Sequence, residues 1–460
     1  MNKQMSADLG NGKIGKLLFQ LSVPAIAAQI INVLYNMVDR AYIGHIPDIG
    51  TQALTGVGVT MPVIMAISAF AALVAMGSAP RAGIMLGKKD PESAEKILGN
   101  SFFSLITVSI ILTAVILIFG EPILMIFGAS ENTIGYGLDY LNIYALGTIF
   151  VQITLGMNAF ISTQGFAKTS MYTVAIGAII NIILDPILIF GFDMGVKGAA
   201  LATILSQAVS CIWVIRFLIS DKSVLRIKKE NVRFTPKIML PCIALGLSPF
   251  IMQFTEAVII VCFNSSLYKY GGDLAVGAMT ILASIMQFSM LPLQGLTQGA
   301  QPIISYNFGA GNIDRIKKTF KILVTSCLTY STLLWAIAMF VPKLFIIIFA
   351  NSPELIDYTV WAVRIYMATS CIFGIQIACQ QTFIAIGNAK ISMFLALLRK
   401  VFLLIPLIFI LPIFIEDKVF AVFLAEPIAD FIAVSTTASM FIYTFRKLGV
   451  NKENAIDAAK

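Results

Sequence analysis

The chain has 460 residues, of which 58% are hydrophobic and only 12% charged, and its formal net charge is +8. Soluble domains carry about 25% charged residues, so a soluble globular protein is excluded and a bilayer protein is expected. The basic residues form no patch with interleaved aromatics, which excludes nucleic acid as the partner of the positive charge.

The N-terminal stretch MNKQMSADLGNGKIGK is polar and has no cleavable signal pattern, so the first apolar segment is expected to stay as a membrane helix. Twelve apolar segments are long enough to span, each about 20–26 residues. The first six are 18–43, 52–76, 97–119, 137–161, 168–191 and 196–219, and the second six are 238–263, 273–298, 319–342, 359–384, 391–415 and 420–445. This predicts an all-α polytopic membrane protein. The cysteines (Cys211, Cys242, Cys262, Cys327, Cys371, Cys379) all lie in apolar runs and read as inert thiols, with the spacing of neither a metal site nor a disulfide framework.

Loop charges set the orientation. Arg81, Lys88, Lys89 and Lys96 fall between segments two and three, and Lys222, Arg226, Lys228, Lys229, Arg233 and Lys237 between six and seven. Arg315, Lys317, Lys318 and Lys321 fall between eight and nine. Loops on the other side have single lysines (Lys197, Lys269, Lys343, Lys418) diluted by acids. The positive-inside rule then places both termini and the basic loops in the cytoplasm, for a multi-pass protein of the cell's inner membrane. Attraction to anionic membrane lipids is a by-product of that charge.

The chain also repeats itself. GSAPRAGIMLGKKDPESAEK (77–96) lines up with GAQPIISYNFGAGNIDRIKK (299–318), matching Gly77 with Gly299, Pro80 with Pro302 and Gly87 with Gly309. AKTSM (167–171) lines up with AKISM (389–393) at the same offset of 222 residues. Two six-helix lobes follow, running in parallel and related by a pseudo-twofold along the membrane normal. The expected units are lobe 1–219, a basic linker 220–237, lobe 238–446 and a cytoplasmic tail 447–460.

Two acids interrupt the apolar runs of the first lobe. An ionisable group at membrane depth costs about 2.5–3.5 kcal/mol on insertion scales, which makes each a candidate functional residue. Asp185 lies in NIILDPILIFGFDMGVKGAALAT, four residues after Asn181 and therefore on its helix face. Pro186 follows and is expected to kink the helix. Asp39 follows Tyr35 by four residues in segment one, where Pro24 is a second candidate bend. At about 1.5 Å per residue, Asp39, Asp185 and Thr203 all fall roughly 6–11 Å below the outer edge. Tyr35, Asp39, Asn181, Asp185 and Thr203 are thus expected to converge on one polar cavity. Two neighbouring carboxylates hold a proton or a metal ion between them, and hard oxygen ligands suit Na⁺ or H⁺. The competing readings are a helix cap for Asp185 and an interfacial pair with Arg40 for Asp39. At the 222 offset Asn181 falls on Leu403 and Asp185 on Leu407, an asymmetry that favours a function over a scaffold role.

In the second lobe, Glu256 lies deep in segment seven, either attracting a cationic substrate or satisfied by neighbouring helices. Arg399 and Lys400 are expected to pair with Glu426 and Asp430 as a structural network. Arg364 is expected to snorkel to the outer surface. Gln287, Gln294 and Gln298, with Met279, Met286 and Met290, either line an adaptable substrate cavity or pack. The chain has one histidine, His45, and neither an HExxH motif nor a Gly-rich phosphate loop. An enzyme is therefore not expected, nor a nucleotide-driven pump on this chain.

VPAIAAQIINVLYNMVDRAYIGH (23–45), the proline-and-glycine stretch 77–89 and the Asp185 stretch together resemble the multidrug and toxic compound extrusion (MATE) transporters, near the DinF-like and MepA-like bacterial branches. The resemblance covers essentially the whole chain. It implies a V-shaped pair of bundles exporting organic cations and other amphiphilic drugs in exchange for Na⁺ or H⁺, with no further cofactor. The family's first-lobe cation site is similar to Tyr35, Asp39, Asn181, Asp185 and Thr203, with Pro24 at its helix bend. The NorM-like branch also uses acids in helices seven and ten; Glu256 is similar to the first, whereas segment ten here has no acid. The expectation is a monomeric secondary antiporter. The rival is a flippase for lipids or lipid-linked oligosaccharides, which calls for a more cationic cavity than these acids provide.

Overall fold

The computed structural model describes residues 9–349 and 352–450, and among the described residues all regular structure is helical. The first lobe contains α1 (Ile14–Gly44), α2 (Gly50–Gly87), α3 (Pro91–Ile126), the pair α4 (Ile134–Leu146) and α5 (Thr148–Thr163), α6 (Ala167–Pro186) and α7 (Gly195–Ile219). A linker leads to α8 (Pro236–Gly309), whose 74 residues at about 1.5 Å each exceed twice the hydrocarbon thickness. α8 turns at Gly272, where φ is 64°, a conformation that glycine adopts freely. Its arms then fold back on each other, so that Phe263 and Leu267 share a core with Ala278 and Leu282. The second lobe continues with α9 (Ile313–Phe340), the short α10 (Lys343–Ile346) and the pair α11 (Pro353–Tyr366) and α12 (Phe373–Ala385). It ends with α13 (Ala389–Leu397), a π-helical stretch (Leu398–Leu404), α14 (Ile405–Phe414) and α15 (Lys418–Val450). Of the tail read as 447–460, residues 451–460 lie outside the described residues, and α15 extends into its beginning.

Among the described residues, nine helices are individually long and apolar enough to cross a bilayer. Two further spans are bent pairs, α4–α5 by 57° and α11–α12 by 53°. Because α8 crosses twice, the described residues contain the twelve spans read from the sequence. The repeat extends to the irregularities. The bend at Gly147 matches the break at 367–369, and the left-handed turn residues Lys89 (φ 62°) and Gly165 (φ 88°) match Gly311 (71°) and Gly387 (82°). These pairs keep the 222 offset, so the lobes share their turns as well as their spans.

Some basic residues are not in loops as expected. α2 continues to Gly87 and α3 begins at Pro91, with the Asp90 side chain accepting from the Ser93 N–H at 3.0 Å. Arg81 and Lys96 therefore lie on helices, and Arg315 through Lys321 lie on α9. The helices outrun their apolar windows because a helix satisfies its own backbone wherever it emerges from hydrocarbon. The linker is fastened to the first lobe. Gln164 Oε1 accepts from Ser223 Oγ and from the N–H groups of Val224 and Leu225 at 3.0, 2.7 and 3.0 Å. Asn100 Oδ1 accepts from Thr235 N at 2.6 Å, and Lys228 pairs with Glu95 at 2.6 Å.

Among the described residues, four apolar cores hold the helices together. The one around Ile43, Val57 and Tyr140 draws only on the first lobe, and the one around Phe263, Met279 and Phe423 only on the second. The other two are shared. Leu17, Leu21 and Ile84 pack with Ile304 and Phe383, while Met239 and Cys242 complete a core with Val74 and Leu98. The private cores lie far from the basic loops and the shared cores lie near them, so the lobes join at the basic end and diverge at the other. Glycines make the seam. A Cβ at Gly87 would fall on the Tyr306 carbonyl, and one at Gly309 on the Ile84 carbonyl. Since 84 and 306 are themselves equivalent positions, this contact is its own mirror in the repeat. Gly77 likewise meets the Cys242 carbonyl of α8, and Gly299 meets Ser22 of α1.

Candidate functional site

Segment one is one unbroken helix through Pro24. Ser22 and Ile26, on either side of Pro24, press on Gly299 and Gly295 of α8. Beyond this seam α1 rises into the cleft, with Tyr35 half-buried and Asp39 buried near its far end. On α6, Asn181 and Asp185 are both buried, one helical turn apart. Pro186 closes the α-helix, and the chain continues as a π-helical turn (Ile187–Gly191) before α7. Such wide turns accommodate a lost proline donor and are frequent at functional positions.

The polar groups meet between these helices. Asn181 Nδ2 donates to Asp185 Oδ1 at 3.2 Å and to Thr203 Oγ1 of α7 at 3.4 Å. Asp39 acts electrostatically on both Asp185 and Tyr35, so α1 closes the third side. The structure thus brings together Tyr35, Asp39, Asn181, Asp185 and Thr203. Arg40 does not pair with Asp39; its guanidinium turns to Met61 Sδ at 3.2 Å. Three buried oxygens, Asp39 Oδ1, Asn181 Oδ1 and Asp185 Oδ2, have no hydrogen-bond partner. Buried polar atoms are almost always satisfied, and three hard oxygen donors left open in one cluster have the chemistry to accept a small cation or protons.

Two tyrosines of α4 also belong here. Tyr140 is buried near Thr203 and Asp39, and Tyr144 stacks on it with ring centroids 6.1 Å apart. Their i, i+4 spacing in YGLDYLNIYAL was the available signal.

The second lobe differs from the expectation in one pairing. Arg399 reaches both Glu426 and Asp430, but Lys400 pairs with Glu256 at 2.5 Å. Glu256 is therefore not a free carboxylate facing a cargo. Gln287 is exposed, Met286 half-buried against the second lobe's private core, and Met279 within that core. Arg364 is exposed and donates to the Met339 carbonyl at 3.2 Å. His45 is exposed at the end of α1.

Two parallel helical repeats around a cleft, with open carboxylates buried in one lobe, are the architecture of the parallel-repeat membrane transporters. The family profile described as MatE matches residues 24–187 and 249–410, once in each lobe, and the chain belongs to that family. It is 26% identical over 447 residues to the multidrug export protein MepA of Staphylococcus haemolyticus, spanning 96% of this chain and 97% of that one. To the MepA of Staphylococcus aureus it is 25% identical over 396 residues, spanning 86% and 87%. Among solved structures, a MATE protein in the bent conformation superposes with a TM-score of 0.91 at 19% identity, over 97% of this chain and 99% of that one. The outward-facing conformation of a multidrug resistance MATE family transporter of the MOP superfamily superposes at 0.88 with 20% identity, over 96% and 98%. Both likenesses establish the two-lobed fold.

Proposed function

We propose that this protein is a secondary antiporter of the cytoplasmic membrane that exports organic cations and amphiphilic drugs in exchange for Na⁺ or H⁺. The three unpartnered oxygens of Asp39, Asn181 and Asp185 carry this reading. Without a counter-charge these carboxylates favour whatever cation enters, and a cation that binds one arrangement of α1 and α6 more tightly shifts the lobe toward it. Thr203 and Tyr140 steady Asn181 and Asp185 from α7 and α4, and Tyr35 bounds the site on α1. Cargo occupies the cleft between the lobes, which is open away from the basic end. The multidrug export named for the MepA relatives supports the cargo class. The basic loops support cytoplasmic termini by the positive-inside rule, and the reading takes the chain as a monomer.

The test is flux of a dye cation in proteoliposomes under an imposed Na⁺ gradient alone, then a pH gradient alone, with Asp185→Asn beside the parent. Flux driven by one gradient and abolished by the substitution is expected, and it names the coupling ion. Equal flux in Asp39→Asn, Asp185→Asn and the parent would overturn the site assignment. A parent that moves no cation but scrambles lipid would move the function to the flippases.

A further inference from the structure

Immediately ahead of α1, residues 9–12 lie across the basic end of both lobes. Leu9 is 1% exposed and belongs to the shared core, with Ile84 and Ala167 of the first lobe and Ile304 and Phe308 of the second. Its side chain reaches the α5–α6 turn, where a Cβ on Gly165 would stand 3.8 Å from it. The main chain is clasped from the second lobe. Asn307 Nδ2 of α8 donates to the Leu9 carbonyl at 2.8 Å. Arg315 Nη2 of α9 donates to the carbonyls of Leu9 and Gly12 at 3.2 and 2.8 Å. Arg315 Nε donates in turn to Asn307 Oδ1 at 3.1 Å, so the two side chains act as one clasp. A Cβ on Gly10 would stand 3.1 Å from the Tyr306 ring, which closes a further side.

The clasp is one-sided. At the 222 offset Asn307 falls on Met85 and Arg315 on Ser93, so the equivalent side chains are absent from the first lobe. Leu9 itself falls on Asn231 of the linker, whose carbonyl accepts from Asn100 Nδ2 of the first lobe at 3.4 Å. Each lobe's leading segment therefore crosses to the opposite lobe, but only the first is held by a guanidinium. Residues 9–12 also have no slack. Only Lys13 separates Gly12 from α1, and one residue extends at most about 3.6 Å. The segment must move with the first lobe, while its hydrogen bonds are to the second. Parting the lobes at the basic end beyond that reach breaks the bonds to Asn307 and Arg315 and draws Leu9 out of its core.

We propose that residues 9–12 form a strap that locks the seam at the basic end, and that its release from Asn307 and Arg315 gates entry to the cleft from that side. Cargo reaches the cleft from the basic side only after the strap has let go. The gating half of this inference rests on the proposed export, whereas the lock does not.

The experiment uses the full chain with alanine at every cysteine except Cys242, which is wholly buried in the seam. Labelling by a water-soluble maleimide is followed in Arg315→Ala, Leu9→Ala and Lys318→Ala. Lys318 is an exposed cation of the same helix as Arg315 and serves as the control. We expect Arg315→Ala to accelerate labelling about 10- to 150-fold, the span of one charge-assisted hydrogen bond. Leu9→Ala should also be faster, and Lys318→Ala should keep the parent rate. A cleavable thiol crosslink between Gly10→Cys and Tyr306→Cys should return Arg315→Ala to the parent rate, a rescue that mere destabilisation would not show. In proteoliposomes the same crosslink should stop dye-cation flux, and its cleavage should restore it. Labelling of Arg315→Ala at the Lys318→Ala rate, an acceleration that the crosslink does not reverse, or flux through the intact crosslink overturns the strap. If the parent moves no cation, the export reading falls, and labelling alone then decides the lock.

Discussion

Gly87→Ala tests whether the glycine seam holds the lobes together at the basic end. The added methyl would overlap the Tyr306 carbonyl, which is backbone and cannot swing aside. Overpacking of this kind costs about 1–3 kcal/mol. Alanine also favours a helix over glycine by about 1 kcal/mol, but α2 is helical whether the lobes are joined or parted, so that gain cancels. The full cost falls on the joined state and shifts the joining equilibrium by about 5- to 150-fold, since 1.4 kcal/mol is tenfold. Cys242 reports the shift, because it is wholly buried in the seam with its carbonyl against Gly77. In a chain whose other cysteines are alanine, labelling of Cys242 by a water-soluble maleimide should accelerate by that factor. Gly58→Ala, on the same helix with open space around it, is the control. Equal labelling rates in Gly87→Ala and Gly58→Ala would refute the argument.

Three further outcomes follow from particular contacts. Tyr140→Phe removes the buried hydroxyl near Thr203 and Asp39 and should raise the coupling-ion concentration for half-maximal flux about 2- to 12-fold, the range set by one polar contact of about 0.5–1.5 kcal/mol. Gln164→Ala takes the acceptor from three linker donors, at a cost of about 1–3 kcal/mol, and trypsin should then cut the lysine- and arginine-rich linker faster than in the parent. Asp90→Ala should cost about 0.5–2 kcal/mol in thermal unfolding through loss of the α3 cap. Hydrogen bonds from the Ser93 hydroxyl and N–H hold the Asp90 carboxyl below its ordinary range. The cap is therefore complete at neutral pH and fades as the pH falls through the ordinary carboxylate range to the lowered value, so Asp90→Ala and parent should converge in melting temperature in acid.

Twelve spans and a duplicated lobe were legible because hydropathy and the repeated glycine-proline stretch survive averaging over side-chain detail. Asp39 and Asp185 stood out because a carboxylate in an apolar run is costly and needs a reason. Tyr140 and Tyr144 did not, since a tyrosine in a membrane helix is ordinary and only contact with Thr203 gives it a role. The Lys400–Glu256 pair was hidden for a geometric reason. Neighbouring residues on a helix diverge by about 100°, so Lys400 cannot share the α15 acids with Arg399, and nothing in the sequence says which helix stands on its other side.

The reciprocity of Gly87 with Tyr306 and Gly309 with Ile84 has the form of an isologous contact, in which position i of one subunit touches j of the other and j touches i. A symmetric pair of six-helix subunits meets in just this way, and there every substitution necessarily appears twice. Joining the two copies through 220–235 lifts that constraint while leaving the seam intact. One copy was then free to place Asn181 and Asp185 where the other has Leu403 and Leu407, and the other to build its own charge cluster around Arg399. Fusion, in this protein, allows two unlike polar clusters, one around Asp185 and one around Arg399, on one symmetric frame.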